Sequence, residues 1–246
     1  MIHVGCCGFP VSRRRYFELF KVVEVQQTFY QVPKRETLVK WREEAPKDFE
    51  YIIKAWQGIT HPLTSPTWRR YKGELWGSKE NYGLLKYTNE VLKAWEITVS
   101  ALDALKGDKV VIQLPPKLEW NNQTKDDIKK TLTEFSKYNV VLIVEPRHES
   151  WLNSEVETFF KKLKIVHCVD PFKNIEFKTS NLVYYRLHGI NGYKYSYKYT
   201  DSDLRKLLER VYKAIEGCKI DAYVMFNNKY MFDDALRFIK LIRKLE

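Results

Sequence analysis

No stretch of this chain approaches the ~20 consecutive apolar residues of a membrane-spanning helix, and its first residues lack the apolar core of a secretory signal. Neither G-x-G-x-x-G nor G-x-x-x-x-G-K occurs, so nucleotide binding through a glycine-rich loop is not expected. The absence of G-x-S-x-G removes the nucleophile elbow of the α/β-hydrolases. Cysteine is scarce, at positions 6, 7, 168 and 218, with no C-x-x-C pair. Adjacent Cys6 and Cys7 are poorly placed to bridge each other or to clasp zinc. The thiols read as small packing groups in a reducing compartment, and the expected location is the cytoplasm. Histidines spaced H-x-E or H-x-x-x-H are missing too, so metal ligands would have to converge from separate strands. A divalent metal is conceivable on the residue types present but is not the favoured cofactor.

What the chain does have is size and charge. Its 246 residues suit one large domain over 1–246, and 44% hydrophobic content is ample for a core. Forty-two Lys and Arg against 31 Asp and Glu leave a net charge of +11. That surplus favours polyanionic partners through phosphate neutralisation, although a solvated lysine-rich surface carries the same sign. The 16 Tyr and 7 Trp suit a core or a stacking surface equally, so their number decides nothing.

Short β-branched runs recur along the chain: 2–7, 22–26, 51–55, 110–114, 140–145, 165–170, 182–188 and 222–226. Segments of helical period separate most of them. Val91, Leu92, Trp95, Val99 and Leu102 form one stripe, opened by Thr88 as N-cap and closed near Gly107. Ser154-Glu155-Val156-Glu157 reads as a capping box ahead of Phe159, Phe160 and Leu163. Eight alternations predict a parallel sheet closed as a TIM-type (β/α)8 barrel, with an open doubly wound sheet as the competing architecture. The segment from Asp170 to Asn181 is too short and too polar for a helix, so the crossover between strands 6 and 7 is expected to be irregular.

In such barrels the C-terminal strand ends carry the chemistry. Here they carry Glu24 and Gln26, Lys54, Gln113, Glu145 with Arg147 and His148, Asp170, Arg186 with His188, and Asn227 with Asn228. The ordered segments VGCCGF (4–9), VEVQQTFYQVP (23–33), KAWQGITH (54–61), QLPP (113–116), VEPRHESW (144–151), YYRLHG (184–189) and FNN (226–228) resemble the signature of the YecE-like family, domain of unknown function 72. That resemblance implies a TIM-type barrel and supplies no activity. Two positions depart from the family habit: Gln26 stands where Asn is usual, and Phe9 where Trp or Tyr is usual. The stretch from Pro62 to Tyr87 is longer than in many relatives.

Glu145, His148, His188, Glu24 and Asp170 are the candidate catalytic groups, because paired carboxylates with imidazoles can divide acid and base work. Each carboxylate needs a neighbour if buried: Lys54 for Glu24, and Arg147 or Arg186 for Glu145. Arg147, Arg186, Lys54 and His61 make the mouth cationic and suit a phosphate or carboxylate ligand. Gln26, Tyr30, Gln113, Asn227 and Asn228 complete the candidate substrate-binding set. The long loop over 57–87 interleaves Trp68, Arg69, Arg70 and Lys72, which suits nucleic acid, while Trp68 and Trp76 can equally pin the loop to the barrel. YKYSYKY at 193–199 repeats the theme and can form a small hairpin. The expectation is an enzyme acting on an anionic, phosphorylated or nucleic-acid-derived substrate at the mouth. The alternatives are a nucleic-acid-binding barrel without chemistry, or a binder of small anions or sugars.

Overall fold

The computed structural model describes residues 1–190, 195–217 and 220–244. Eight strands close into a barrel in sequence order: β1 (Ile2–Cys7), β2 (Val22–Val25), β3 (Glu50–Lys54), β4 (Lys109–Gln113), β5 (Val141–Glu145), β6 (Val166–Val169), β7 (Leu182–Leu187) and β8 (Asp221–Phe226). Every neighbouring pair is parallel, and β8 returns to pair with β1 through Val4 and Val224. The open-sheet alternative is thereby excluded.

Around the strands run α1 (Arg13–Leu19), α2 (Gln27–Tyr30), α3 (Arg35–Glu44), α4 (Gln57–Thr60), α5 (Asn89–Ala104), α6 (Lys125–Phe135), α7 (Ser154–Leu163), α8 (Asp201–Ile215) and α9 (Met231–Ile242). No helix lies between β6 and β7, as the short polar crossover predicts. No described helix is long and apolar enough to cross a membrane.

The period of two along each strand sorts side chains into two cores. Cys6, Val23, Ile53, Val110, Val144 and Val224 point outward to the helices. Cys7, Val22, Ile52, Val111, Ile143, Val166, Cys168 and Tyr184 fill the lumen. Adjacent Cys6 and Cys7 therefore belong to opposite faces, and the described cysteines are free and buried. Cys218 lies outside the described residues. Gly5 occupies a lumen position where a Cβ would stand 2.5 Å from the Val22 carbonyl oxygen, so the backbone there requires glycine.

Local details correct the sequence reading at four places. Gln26 is not in β2 but takes a helical conformation as the N-cap of α2. The cap of α7 is Asn153, whose side chain accepts from Val156 N, and Ser154 is already inside the helix. The 57–87 stretch is not a bare loop: α4 and two 3-10 turns, Pro66–Arg70 and Lys79–Asn81, interrupt it. Finally, Tyr195–Tyr199 form turn and irregular chain rather than a strand, and Tyr193 and Lys194 lie outside the described residues. Thr88 does cap α5, accepting from Val91 N at 3.4 Å.

Candidate active site at the barrel mouth

Arg186 is the hub. Tyr184 and Arg186 on β7, and His188 just past its end, alternate with outward-facing Tyr185 and Leu187, so each of the three points into the lumen or its rim. The Arg186 guanidinium is fully buried. Its Nη2 pairs with Glu24 Oε1 at 3.0 Å and its Nη1 bonds Glu145 Oε2. The two carboxylates, contributed by β2 and β5, are thus joined by one guanidinium rather than facing each other. Glu24 is completed by Tyr184, which donates its hydroxyl to Oε2 at 2.8 Å, and by the Gln26 amide on Oε1. The expected Glu24–Lys54 ion pair is not formed, because Arg186 reaches Glu24 first.

Glu145 is held from a second side. Arg147 Nη2 lies 2.7 Å from its Oε1 and also donates to His188 Nε2 at 3.0 Å. Burial by itself pushes the Glu145 carboxyl up, but the Arg147 and Arg186 charges overcome it and hold the group well below the usual carboxylate range. A guanidinium can only donate, so His188 Nε2 accepts and its proton sits on Nδ1, 3.7 Å from Asp170 Oδ2. Burial lowers the His188 pKa and outweighs the opposing Asp170 bond. Asp170 also accepts from the backbone N–H of Phe172 and of His188.

Lys54, at the end of β3, differs from the other lumen charges. It is only 6% exposed. Its Nζ donates to Gln113 Oε1 at 2.9 Å and lies 3.8 Å from the centre of the Phe29 ring. Among the described residues it forms no ion pair. Burial, reinforced by the Arg186 charge, lowers its pKa from 10.5 to about 7. Gln113 Oε1 also lies 3.5 Å from Arg186 Nη1, so one amide links the lysine to the Glu–Arg–Glu cluster. His61 packs edge-on against the same Phe29 ring, with centroids 4.9 Å apart, and shares a 2.8 Å hydrogen bond with Thr60 Oγ1. Burial, with the Lys54 and Arg147 charges behind it, takes its pKa down to about 4.

The remaining candidates lie further out. His148 caps the 3-10 turn Glu149–Trp151, its Nδ1 accepting from Ser150 N, and it lines a side cavity of about 200 Å3 with Glu145, Arg147, Cys168 and Asp170. Asn228 faces the helix layer, donating to Asp234 and to the Tyr197 carbonyl, so it secures the chain after β8 rather than the mouth. The backbone N–H of Asn227 is bonded to Leu187 O. The Tyr30 ring carries the Arg70 guanidinium at 4.4 Å. Trp68 packs on Trp56 and Tyr71 and donates to the His61 carbonyl. Together with Trp76 and Tyr82 it pins the long loop to the barrel, leaving Arg69, Arg70 and Lys72 exposed. Tyr184 and Phe29 are not among the sequence candidates, while Cys7 and Cys168 pack in the lumen as the sequence reading expects. The alternation Tyr184-x-Arg186-x-His188 was a usable signal for the first; nothing local marked Phe29.

A larger cavity, about 890 Å3, opens at the opposite, N-terminal end of the barrel. Its charges are knitted into ion pairs such as Lys109–Glu50, Lys109–Asp108 and Arg35–Asp103, as befits the face of such barrels that serves stability.

Fold and site together define a TIM-barrel protein whose charged, buried side chains converge at the C-terminal mouth. The chain belongs to the family described as protein of unknown function DUF72, whose sequence pattern matches residues 12–246. It is 24% identical to the UPF0759 protein YunF of Bacillus subtilis over 96% of this chain and 91% of that one. In structure it resembles a DUF72 family protein from Enterococcus faecalis, with 21% identity, TM-score 0.74, and 99% and 98% of the two chains covered. A DUF72 family protein from Thermotoga maritima is similar at 23% identity and TM-score 0.72, with 99% of each chain covered.

Proposed function

We propose that this protein is an enzyme that binds a small anionic substrate at the C-terminal mouth of its barrel. The observation that carries this reading is Lys54. A buried amine that makes no ion pair among the described residues carries an uncompensated desolvation cost, and a substrate anion that reaches it lowers that cost. Arg147, shared between Glu145 and His188 just past the end of β5, is the guanidinium that a phosphate or carboxylate entering the mouth would meet in bidentate geometry.

The Glu24–Arg186–Glu145 cluster is the rigid frame. Glu145 remains ionised and doubly bound, which makes it an anchor rather than the proton-transfer group. Acid–base work near neutral pH falls to Lys54, whose pKa burial lowers to about 7. The exposed Arg69, Arg70 and Lys72 support a polyanion surface less strongly, because the indoles beside them are consumed in packing on Trp56.

Isothermal titration calorimetry with orthophosphate, small dicarboxylates and phosphorylated three-carbon compounds tests the reading. Saturable binding that weakens at least tenfold in Arg147→Gln is expected. Binding by none of these anions, or equal binding by the variant, overturns it.

A further inference from the structure

Resting on that reading, we infer that Lys54 is a covalent nucleophile, forming an imine with a small carbonyl compound that carries a carboxylate or phosphate group. The geometry separates this amine from every other charged group in the lumen. Arg186, Glu24 and Glu145 are locked to one another, and Asp170 is occupied by backbone donors. Lys54 Nζ has one amide oxygen below it and an aromatic face beside it, so neither neighbour fixes a proton on the amine as a carboxylate would. Burial, which outweighs the pull of the Glu24 and Glu145 charges, holds the lysine partly neutral, and the neutral form is the nucleophile. Its position at the end of β3 is where catalytic groups of such barrels stand.

The step balances without a further reactant. The Nζ lone pair attacks the carbonyl carbon, and the carbonyl π pair moves to oxygen, which takes up a proton. The nitrogen gives up one of its protons, leaving a neutral carbinolamine. Protonation of the hydroxyl then lets the C–O bond break, water departs, and the nitrogen lone pair closes the C=N bond as a protonated imine. Addition of water reverses the sequence and restores the amine. Arg147 holds the anionic group, so that the carbonyl rather than the charge meets Nζ.

The test is reductive trapping on the full chain. The protein is mixed with glyoxylate, pyruvate or dihydroxyacetone phosphate, treated with borohydride, and weighed intact before peptide mapping. Hydride addition to the imine should raise the mass by that of the carbonyl compound less one oxygen atom, with the adduct on the peptide containing Lys54. Trapping should fall at least tenfold in Lys54→Arg, which keeps the cation, and in Lys54→Met, which keeps the stem. The carboxylate and phosphate arms tell which anion the site takes. Adducts confined to surface lysines, or undiminished in both variants, overturn the inference, as does the absence of any adduct. Calorimetric binding of these compounds without trapping overturns the lysine chemistry and leaves the anion reading standing; loss of both removes the two together.

Discussion

Replacing Lys54 by methionine should flatten part of the rise of stability with pH. The amine has its ordinary value of 10.5 in the unfolded chain and about 7 in the folded one, lowered by burial and then by Arg186. Between those values the unfolded chain holds a proton that the folded chain lacks, so folding stability increases with pH across that window. Below about pH 7 both states are protonated and the full penalty of the buried charge applies. Above 10.5 both are neutral and the penalty has gone. At about 1.4 kcal/mol per pKa unit the whole window is worth a few kcal/mol, of which roughly half falls between pH 6 and pH 9. Methionine keeps the apolar stem against Phe29 and cannot titrate. Guanidinium denaturation of both proteins at intervals from pH 6 to pH 9, followed by tryptophan fluorescence, gives the difference directly. The wild type should gain roughly 2–3 kcal/mol on the variant over that range, with the variant the more stable at pH 6. Parallel pH profiles would refute the reasoning, because they would mean that Lys54 titrates alike in both states.

Three further outcomes follow from the same site. Arg186→Met strands Glu24 and Glu145 in the lumen and should destabilise the fold by about 3–5 kcal/mol, whereas adding Glu24→Gln and Glu145→Gln should recover much of that loss in denaturation midpoints. Because the folded Glu145 pKa lies below its ordinary 4.5, its ionised form stabilises the fold above that value and the contribution fades as pH falls beneath it. Melting temperatures from pH 5 down to pH 2.5 should therefore drop less steeply in Glu145→Gln. In the long loop, Trp68→Ala should cost about 2–3 kcal/mol and open 62–87 to limited proteolysis. Serine at Arg69, Arg70 and Lys72 together should leave stability within about 0.5 kcal/mol and the cleavage pattern unchanged.

The barrel was legible in the sequence because its signal is local and repeated. Runs such as VVIQL and VVLIVE announce fully buried parallel strands whatever their partners are. The candidate site was legible as a set of residues, since the strand ends name themselves once the strands are placed. What could not be read was the pairing. Glu24 and Arg186 come from opposite ends of the chain, and no local pattern says that this arginine rather than Lys54 meets that carboxylate. Register and barrel closure decide it. The fate of His148 and Trp68 was hidden for another reason: each belongs to a 3-10 turn or its cap beyond the strand end, and the bend of the connecting chain decides whether it faces the lumen or caps and packs elsewhere.

The bridging arginine also bears on how the chain can assemble. Glu24 and Glu145 belong to the first five strands, while the guanidinium that neutralises both arrives with the seventh. A partial barrel made from the N-terminal strands would enclose two carboxylates with Arg147 as a counter-charge for Glu145 and no guanidinium for Glu24. Such a fragment gains little by closing early. A register slip of one residue in β7 would carry Arg186 to the helix side and leave the same carboxylates uncovered. The cluster thus acts as a proofreading contact: compaction is rewarded only when the late strands have arrived and lie in register, which predicts late, cooperative closure and poor tolerance of chains truncated before β7.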